Sequence, residues 1–449
     1  MRRSSQILEQ LRAFESRNVT FIEPDGSWPI VWERAQGVQV WDVEGKKYLD
    51  LTAAFGVAAA GHANPRIVRA GQRQMARLLH AMGDVHPHAL KARLARELSR
   101  VTFERWAKSN FVSRTSKSKT GKTIFCNSGF EAVEAALKTA LLATGRRAVI
   151  AFTGGYHGLG YGALNATHRG HFRLPFRSQL AEFGHFVPFP TSAGQLDEMD
   201  TELRKCFRRG RIGAVLVEPV QARGGIQVPP PDFLRRLRRV CDEHAALLIV
   251  DEIFTGLGRT GKWFACEHSG VAPDLICLGK ALTGGFPLSA CVGRADVMDA
   301  AWPPSTGEAI HTSTFLGHPV GCALALAQMA EIRRGKLVER SAKLGEFLLG
   351  ELRAQFPEAR GDCVVRGLGL MAGVELRQPD GSPATQRSLA AIKTMLRRGF
   401  ILLPEGEHAN VISFTPPLPI TGRQLRQAVR ALGEILGRPG RTVRTARRA

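Results

Sequence analysis

Between residues 122 and 280, short apolar runs without alternation take turns with stretches of helical period. "KTIFCN" (122–127) leads into "SGFEAVEAALKTALLATG", where Ala132, Val133, Ala136 and Leu137 share one side. "AVIAFTGGYHG" follows, then "IGAVLVEPV" (212–220) and the helical pattern "PDFLRRLRRVCDEHA". "ALLIVDEI" and "DLICLGK" complete the series. Runs of Val, Ile and Leu that do not alternate suit parallel strands covered on both faces, joined by helices. The pattern predicts a doubly wound α/β domain, with ligands at the carboxyl ends of its strands. After about residue 325, helical patterns ("ALALAQMAEIRR", "SAKLGEFLLGELRAQF") precede strand-like pieces ("LMAGVEL", "VISFT"). That change of style predicts a second, smaller α+β domain. A hairpin-like run near the start, "VQVWDVEGKKYLDLT", is expected to pack with it. The division this gives is 1–65 as an N-terminal segment packing with the small domain, 66–325 as the large domain and 326–449 as the small domain.

A chain of 449 residues with 44% hydrophobic content is ample for a large core. "AALLIV" (245–250) is far too short to cross a membrane. The start, "MRRSSQILEQLRAFESR", has no apolar core and carries Glu9 and Glu15. It reads as a surface helix rather than a secretory signal, with a transit peptide as the lesser alternative. Eight scattered cysteines without a C-x-x-C pair suit reduced thiols in the cytoplasm, and none has metal-ligand spacing. The net charge of +22 raises a rival class, nucleic-acid binding. The two densest basic runs, 113–122 and 437–448, read as exposed loops or tails without interleaved aromatics. "TGKT" lacks the earlier glycine of a phosphate-binding Walker loop, because Ser116 stands there. Solvated basic surface is the plainer reading.

Each candidate strand ends in polar or glycine-rich residues. Ser128 and Gly129 begin a helix, where backbone N–H groups and the helix dipole attract an anion. Ordinary helix capping explains them as well. Tyr156 and His157 sit among glycines, where an aromatic ring can lie flat on another ring or merely pack. Asp251 follows a buried run and reads equally as a helix N-cap. Lys280 follows four apolar residues and precedes a glycine-rich turn. A lone lysine is usually solvated, but a desolvated one has a lowered pKa and attacks carbonyls. Together, an anion cradle, a flat aromatic, a carboxylate and an imine-forming lysine suit pyridoxal 5′-phosphate.

The stretches "FCNSGFEAVEAALK", "GGYHG", "VEPVQARGG", "VDEIFTGLGRTGKWFACEHSGVAPDLICLGKALTGGFPLSACVG" and "HTSTFLGHPVGCALAL" strongly resemble the class III pyridoxal-phosphate-dependent aminotransferases. The resemblance runs from "LDLTAAFGVAAAGHANPRIVRA" to "NVISFTPPL". It implies fold type I, with a large doubly wound, mostly parallel sheet domain, a smaller α+β domain built from both chain ends and the site completed across a homodimer or a dimer of dimers. It implies that Lys280 forms the Schiff base and shuttles the proton, while Asp251 pairs with the pyridinium nitrogen. Ile253 would press on the ring face opposite Tyr156. Ser128, Gly129 and the backbone of Phe130 would hold the phosphate, and Thr314 would reach the phosphate of a neighbouring subunit. Glu218 and His157 would support the cofactor from behind. The reaction implied is transfer of an amino group from an amine or amino acid to a 2-oxo acid.

Three departures bear on the substrate. Phe130 brings no hydroxyl where many relatives have Thr, Ser or Ala. Arg223 stands where relatives that use 2-oxoglutarate commonly have glutamate, in E-P-x-Q-G-E. Ser413 stands where the same relatives often carry a carboxylate-gripping arginine. In those relatives the glutamate neutralises the arginine when no carboxylate is bound. Arg223 is therefore a candidate for a two-pronged grip on the substrate carboxylate, against the plainer alternative of an arginine tied to a local acid or facing solvent. Phe55, with Phe254 and Trp263, is expected to shape the pocket. An aminomutase or racemase on the same scaffold is the nearest alternative, and a basic nucleic-acid-binding protein the remote one.

Overall fold

The computed structural model describes residues 3–109, 111 and 118–437. Half of the basic run at 113–122, and all but the first residue of the one at 437–448, lie outside the described residues.

Seven strands form the main sheet. Their spatial order is Gly121–Cys126, Ser289–Arg294, Leu275–Leu278, Leu247–Asp251, Ile212–Val217, Ala148–Phe152 and Gly184–Val187. All run parallel except Ser289–Arg294, which is antiparallel to both neighbours. The four central strands from Ser289–Arg294 to Ile212–Val217 are buried at every position. The reason is visible in how successive residues divide. Leu247 and Ile249 enter the core under the helix Gly129–Thr144, while Leu248 and Val250 enter the one under the helix Phe233–Glu243. Side chains alternate across the sheet, yet both faces are dry, so the sequence shows no alternation. Each such Leu, Ile or Val contributes about 1.5–3 kcal/mol relative to an exposed one.

Two four-stranded sheets accompany it. In one, Trp32–Gln36, Gln39–Asp42 and Lys47–Asp50 form an antiparallel meander, and Phe400–Ile401 adds in parallel to the last. The N-terminal hairpin is thus joined to the C-terminal part of the chain. The other sheet is antiparallel, in the order Cys363–Gly367, Ala372–Leu376, Val411–Phe414 and Leu403–Glu405. The helices Leu337–Gln355, Thr385–Arg397 and Gly422–Ile435 pack with these strands and one another. The N-terminal helix Arg3–Phe14 buries only Leu8. Among the described residues no helix is long and apolar enough to cross a membrane.

The antiparallel strand Ser289–Arg294 agrees with the expected mostly parallel sheet, although nothing in the sequence marked which strand would be reversed. It is as buried as Leu275–Leu278 beside it, and burial does not record direction.

Candidate active site

The carboxyl ends of five parallel strands meet around one cavity of about 440 Å³. Gly129, Phe130, Tyr156, His157, Glu218, Arg223, Asp251, Ile253 and Lys280, all singled out from the sequence, line it. Phe254 lines it as well, with Gly158, Leu159 and Ala222, none of which carries a reactive group.

The turn after Leu275–Leu278 aims the lysine. Gly279 is extended (φ −169°), and Lys280 itself takes a left-handed φ of 41°. A side chain rarely adopts that conformation, so the surrounding packing holds it there. Lys280 Nζ lies 4.8 Å from the centre of the Phe254 ring. Burial lowers the lysine pKa, and the charges of Asp251, Glu218 and Glu405 oppose that only in part.

Asp251 ends its strand fully buried. Its Oδ2 lies 2.8 Å from His157 Nδ1, and its Oδ1 accepts the Ile253 N–H at 3.1 Å. A buried carboxylate is costly unless hydrogen-bonded, and these two contacts supply that need. Glu218 is buried too. It accepts the backbone N–H groups of Tyr156 (2.9 Å) and Ala222 (3.1 Å), tying two strand-end loops together. Burial, reinforced by nearby Asp251 and opposed by His157, pushes its pKa up to about 7.

At the start of the helix Gly129–Thr144, the Glu131 carboxylate caps the N–H groups of Asn127 and Ser128. The Ser128 hydroxyl is buried and has no hydrogen-bond partner among the described residues. A hydroxyl left so at a helix N-terminus fits a phosphate oxygen. Ile253 crowds two glycines that start separate turns. A Cβ on Gly129 would lie 3.1 Å from Ile253 Cδ1, and one on Gly279 would lie 3.3 Å from Ile253 Cγ2. Phe130 points away from the helix start toward the Tyr156 loop. Gly158 (φ 109°) could not carry a Cβ, which would fall 2.3 Å from that of Phe130.

Arg223 follows the strand Ile212–Val217, with its guanidinium carbon 5.6 Å from the Tyr156 ring centre. Its Nε is buried without a hydrogen-bond partner, and its nearest acid is Glu405, 3.7 Å away. Glu405 drew no attention in the sequence. It lies 182 residues further on, and only the packing of the small antiparallel sheet brings it here. Ser413 is tied to the chain, donating to the Leu403 carbonyl at 3.0 Å. Thr314 and Phe55 are exposed and do not line the cavity, and Trp263 lies outside it under Arg333. Ser128 flanks the cavity through Gly129.

The arrangement defines a site for a planar, phosphate-bearing carbonyl compound: an anion cradle, two walls for a ring, a carboxylate held in place from behind and an amine. Comparisons with known proteins narrow this. Residues 22–436 match the family Aminotransferase class-III. The chain is 36% identical to the acetylornithine aminotransferase of Methanosarcina mazei, over 91% of this chain and 92% of that one. It is equally 36% identical to the 5-aminovalerate aminotransferase of Pseudomonas aeruginosa, over 90% of this chain and 93% of that one. Among solved structures, an amine transaminase from an uncultivated Pseudomonas species in its PLP-bound form superposes with a TM-score of 0.82 at 28% identity, covering 95% of this chain and 99% of that one. The ornithine aminotransferase of Toxoplasma gondii gives 0.80 at 27% identity, covering 96% and 94%. The chain belongs to the class III aminotransferases.

Proposed function

We propose that the chain binds pyridoxal 5′-phosphate in this cavity and moves an amino group from an amine or amino acid to a 2-oxo acid, with Lys280 transferring the proton. The observation that carries the reading is the meeting of Lys280, the Asp251–His157 pair and the orphaned Ser128 hydroxyl around one cavity. Bound pyridoxal phosphate supplies the electron sink that lets a carbon beside nitrogen lose its proton. The protein's part is positioning and proton traffic. Ser128 Oγ and the N–H groups of the helix start hold the phosphate, while Tyr156 and Ile253 wall the ring. Asp251 stabilises a proton on the ring nitrogen, and the His157 contact keeps Asp251 in place. Lys280 Nζ, its pKa lowered by burial, takes a proton as base and returns it as acid.

The site's finer parts follow from the same reading. Arg223, with a buried Nε that lacks a partner, binds a substrate carboxylate. Relatives are named for acetylornithine, 5-aminovalerate and putrescine, each with a primary amine at the end of an unbranched chain, which supports a donor of that class. The protein works in the cytoplasm as a homodimer or a dimer of dimers. Thr314, exposed and away from its own cavity, reaches the phosphate held by the second copy.

A spectral screen tests the main reading. The yellow loaded protein is mixed with terminal amines and α-amino acids without an acceptor. Donors should bleach it once and stop; continued turnover without acceptor would mean an isomerase. If no amine of either kind bleaches it, the reading is lost. For the carboxylate site, Arg223→Ala should raise KM for the 2-oxo acid more than about tenfold with little change in kcat. An unchanged KM would remove Arg223 from substrate binding.

A further inference from the structure

Two helices that pack side by side both start on histidine. His88 precedes the helix Ala89–Val101, and its Nδ1 accepts the Lys91 N–H at 3.3 Å. His318 precedes the helix Pro319–Arg334, and its Nδ1 accepts the Val320 N–H at 3.3 Å. Helices more often start on Ser, Thr, Asp or Asn, none of which changes charge near neutral pH. Histidine does. The Gly317 carbonyl fixes the form of His88. It can only accept, so Nε2, 2.8 Å away, carries the hydrogen, and Nδ1 is the bare nitrogen of a neutral ring. The same bond ties the two helix starts together, because Gly317 directly precedes His318. A third histidine, His80, stands beside them. Its ring centre lies 5.9 Å from that of His318 and 5.4 Å from that of Phe315. The loop 312–317, which carries Thr314, is thereby held at both ends: the Thr312 hydroxyl donates to Asp84, and the Gly317 carbonyl accepts from His88.

We propose that His80, His88 and His318 form an acid-released latch: neutral, it caps both helices and holds the loop 312–317; protonated, it frees that loop. The consequence for the enzyme rests on the reading that Thr314 reaches the phosphate held by the second copy. It goes beyond that reading by adding a condition, since acid then loosens the hold on the cofactor.

The surroundings set the direction. A proton on Nδ1 of either capping ring turns an acceptor into a donor aimed at N–H groups. It also places a positive charge at a helix N-terminus, where the dipole is already positive. Burial holds the His318 pKa below the usual histidine range, and His80 and His88 push it further down. Lys91 adds a cation from the helix Ala89–Val101, with its Nζ donating to the Gly83 carbonyl at 2.6 Å. Asp84, between Gly83 and the latch, faces Lys91 and accepts the Thr312 hydroxyl. Cys322, from the helix Pro319–Arg334, donates to the Gly317 carbonyl at 3.4 Å; burial pushes its pKa up to about 12, so it stays neutral. The Phe286 ring reaches His318 from the glycine-rich turn after Lys280, with 5.3 Å between centres. The latched state therefore resists protons that the released state accepts. The latch is intact above the ordinary histidine pKa of about 6.5 and weakens as pH falls below it.

The test is hydrogen exchange on the cofactor-loaded enzyme, read by mass spectrometry at about pH 7.5 and 5.5 and corrected for intrinsic exchange rates. Peptides covering 86–95 and 310–323 should exchange about tenfold faster at the lower pH, the effect of losing a helix cap and charging the helix start. The strands of the main sheet should keep their protection. Cofactor loss on gel filtration, read from the absorbance of released pyridoxal phosphate, should accelerate in parallel. The double variant His88→Asn, His318→Asn keeps a capping oxygen at both positions and removes the titration. Its two peptides should exchange alike at both pH values, and it should lose cofactor several-fold more slowly than wild type at the lower pH. Unchanged wild-type protection overturns the latch whether or not the variant folds. So does an equal acid response in the variant. A loop that opens in acid while the cofactor stays bound overturns the coupling through Thr314. None of these results touches the bleaching of the enzyme by amines at higher pH, so the transaminase reading stands or falls separately.

Discussion

Replacing Lys280 with alanine is expected to lower kcat for transamination by about 10⁴-fold, the upper end of what a positioned proton-transfer group contributes. The lysine is the one amine that lines the cavity among the described residues. Its backbone is held in a left-handed turn, and its burial favours the neutral, proton-accepting form. Arginine at the same position should fail almost as badly. It keeps the charge and some of the length, but a guanidinium does not give up its proton in a protein. Measurement of kcat for both variants, after reloading with pyridoxal phosphate, decides the matter. A Lys280→Ala enzyme within tenfold of wild type would mean that another group moves the proton.

The second large effect belongs to Asp251. Asp251→Asn should lower kcat by about 10²–10³-fold, comparable to losing one preorganised electrostatic partner at a site of developing charge. Asparagine has the same shape and keeps an oxygen to face His157 Nδ1, now 2.8 Å from the carboxylate. It loses the negative charge that favours a proton on the ring nitrogen. Because a buried charge is removed rather than orphaned, the melting temperature should hold, and the loss should fall on kcat more than on KM. A collapse in stability with kcat intact in the surviving protein would recast Asp251 as a structural anchor for its loop.

The strands and the residues at their ends were legible because both carry strong local signals. A run such as Leu247–Val250 can be dry on both faces only inside a covered sheet, and a polar residue directly after it must sit at the sheet's edge. That logic reached Asp251 and Lys280 without any structure, while Glu218 was reached through the family resemblance. It could not reach the antiparallel direction of Ser289–Arg294, since hydrophobicity does not record which way a strand runs. It also missed Glu405. An acid between Pro404 and Gly406 looks like any surface turn, and its burial comes from a loop far away in the chain. Gly158 and Phe130 are a third kind of case: each is ordinary alone, and their mutual fit exists only across the folded cavity.

Ile253 occupies the space a Cβ would need at two glycines that the chain reaches separately, the first residue of the Gly129–Thr144 helix and the glycine before Lys280. One aliphatic side chain is therefore a spacer between the anchor of the ligand and the origin of the amine. A bulkier residue there would shift both together, and a smaller one would loosen both. Altering which donors this enzyme accepts by resculpting position 253 would consequently also misalign the base, so its pocket is more safely reshaped from the side of Phe130 and Leu159.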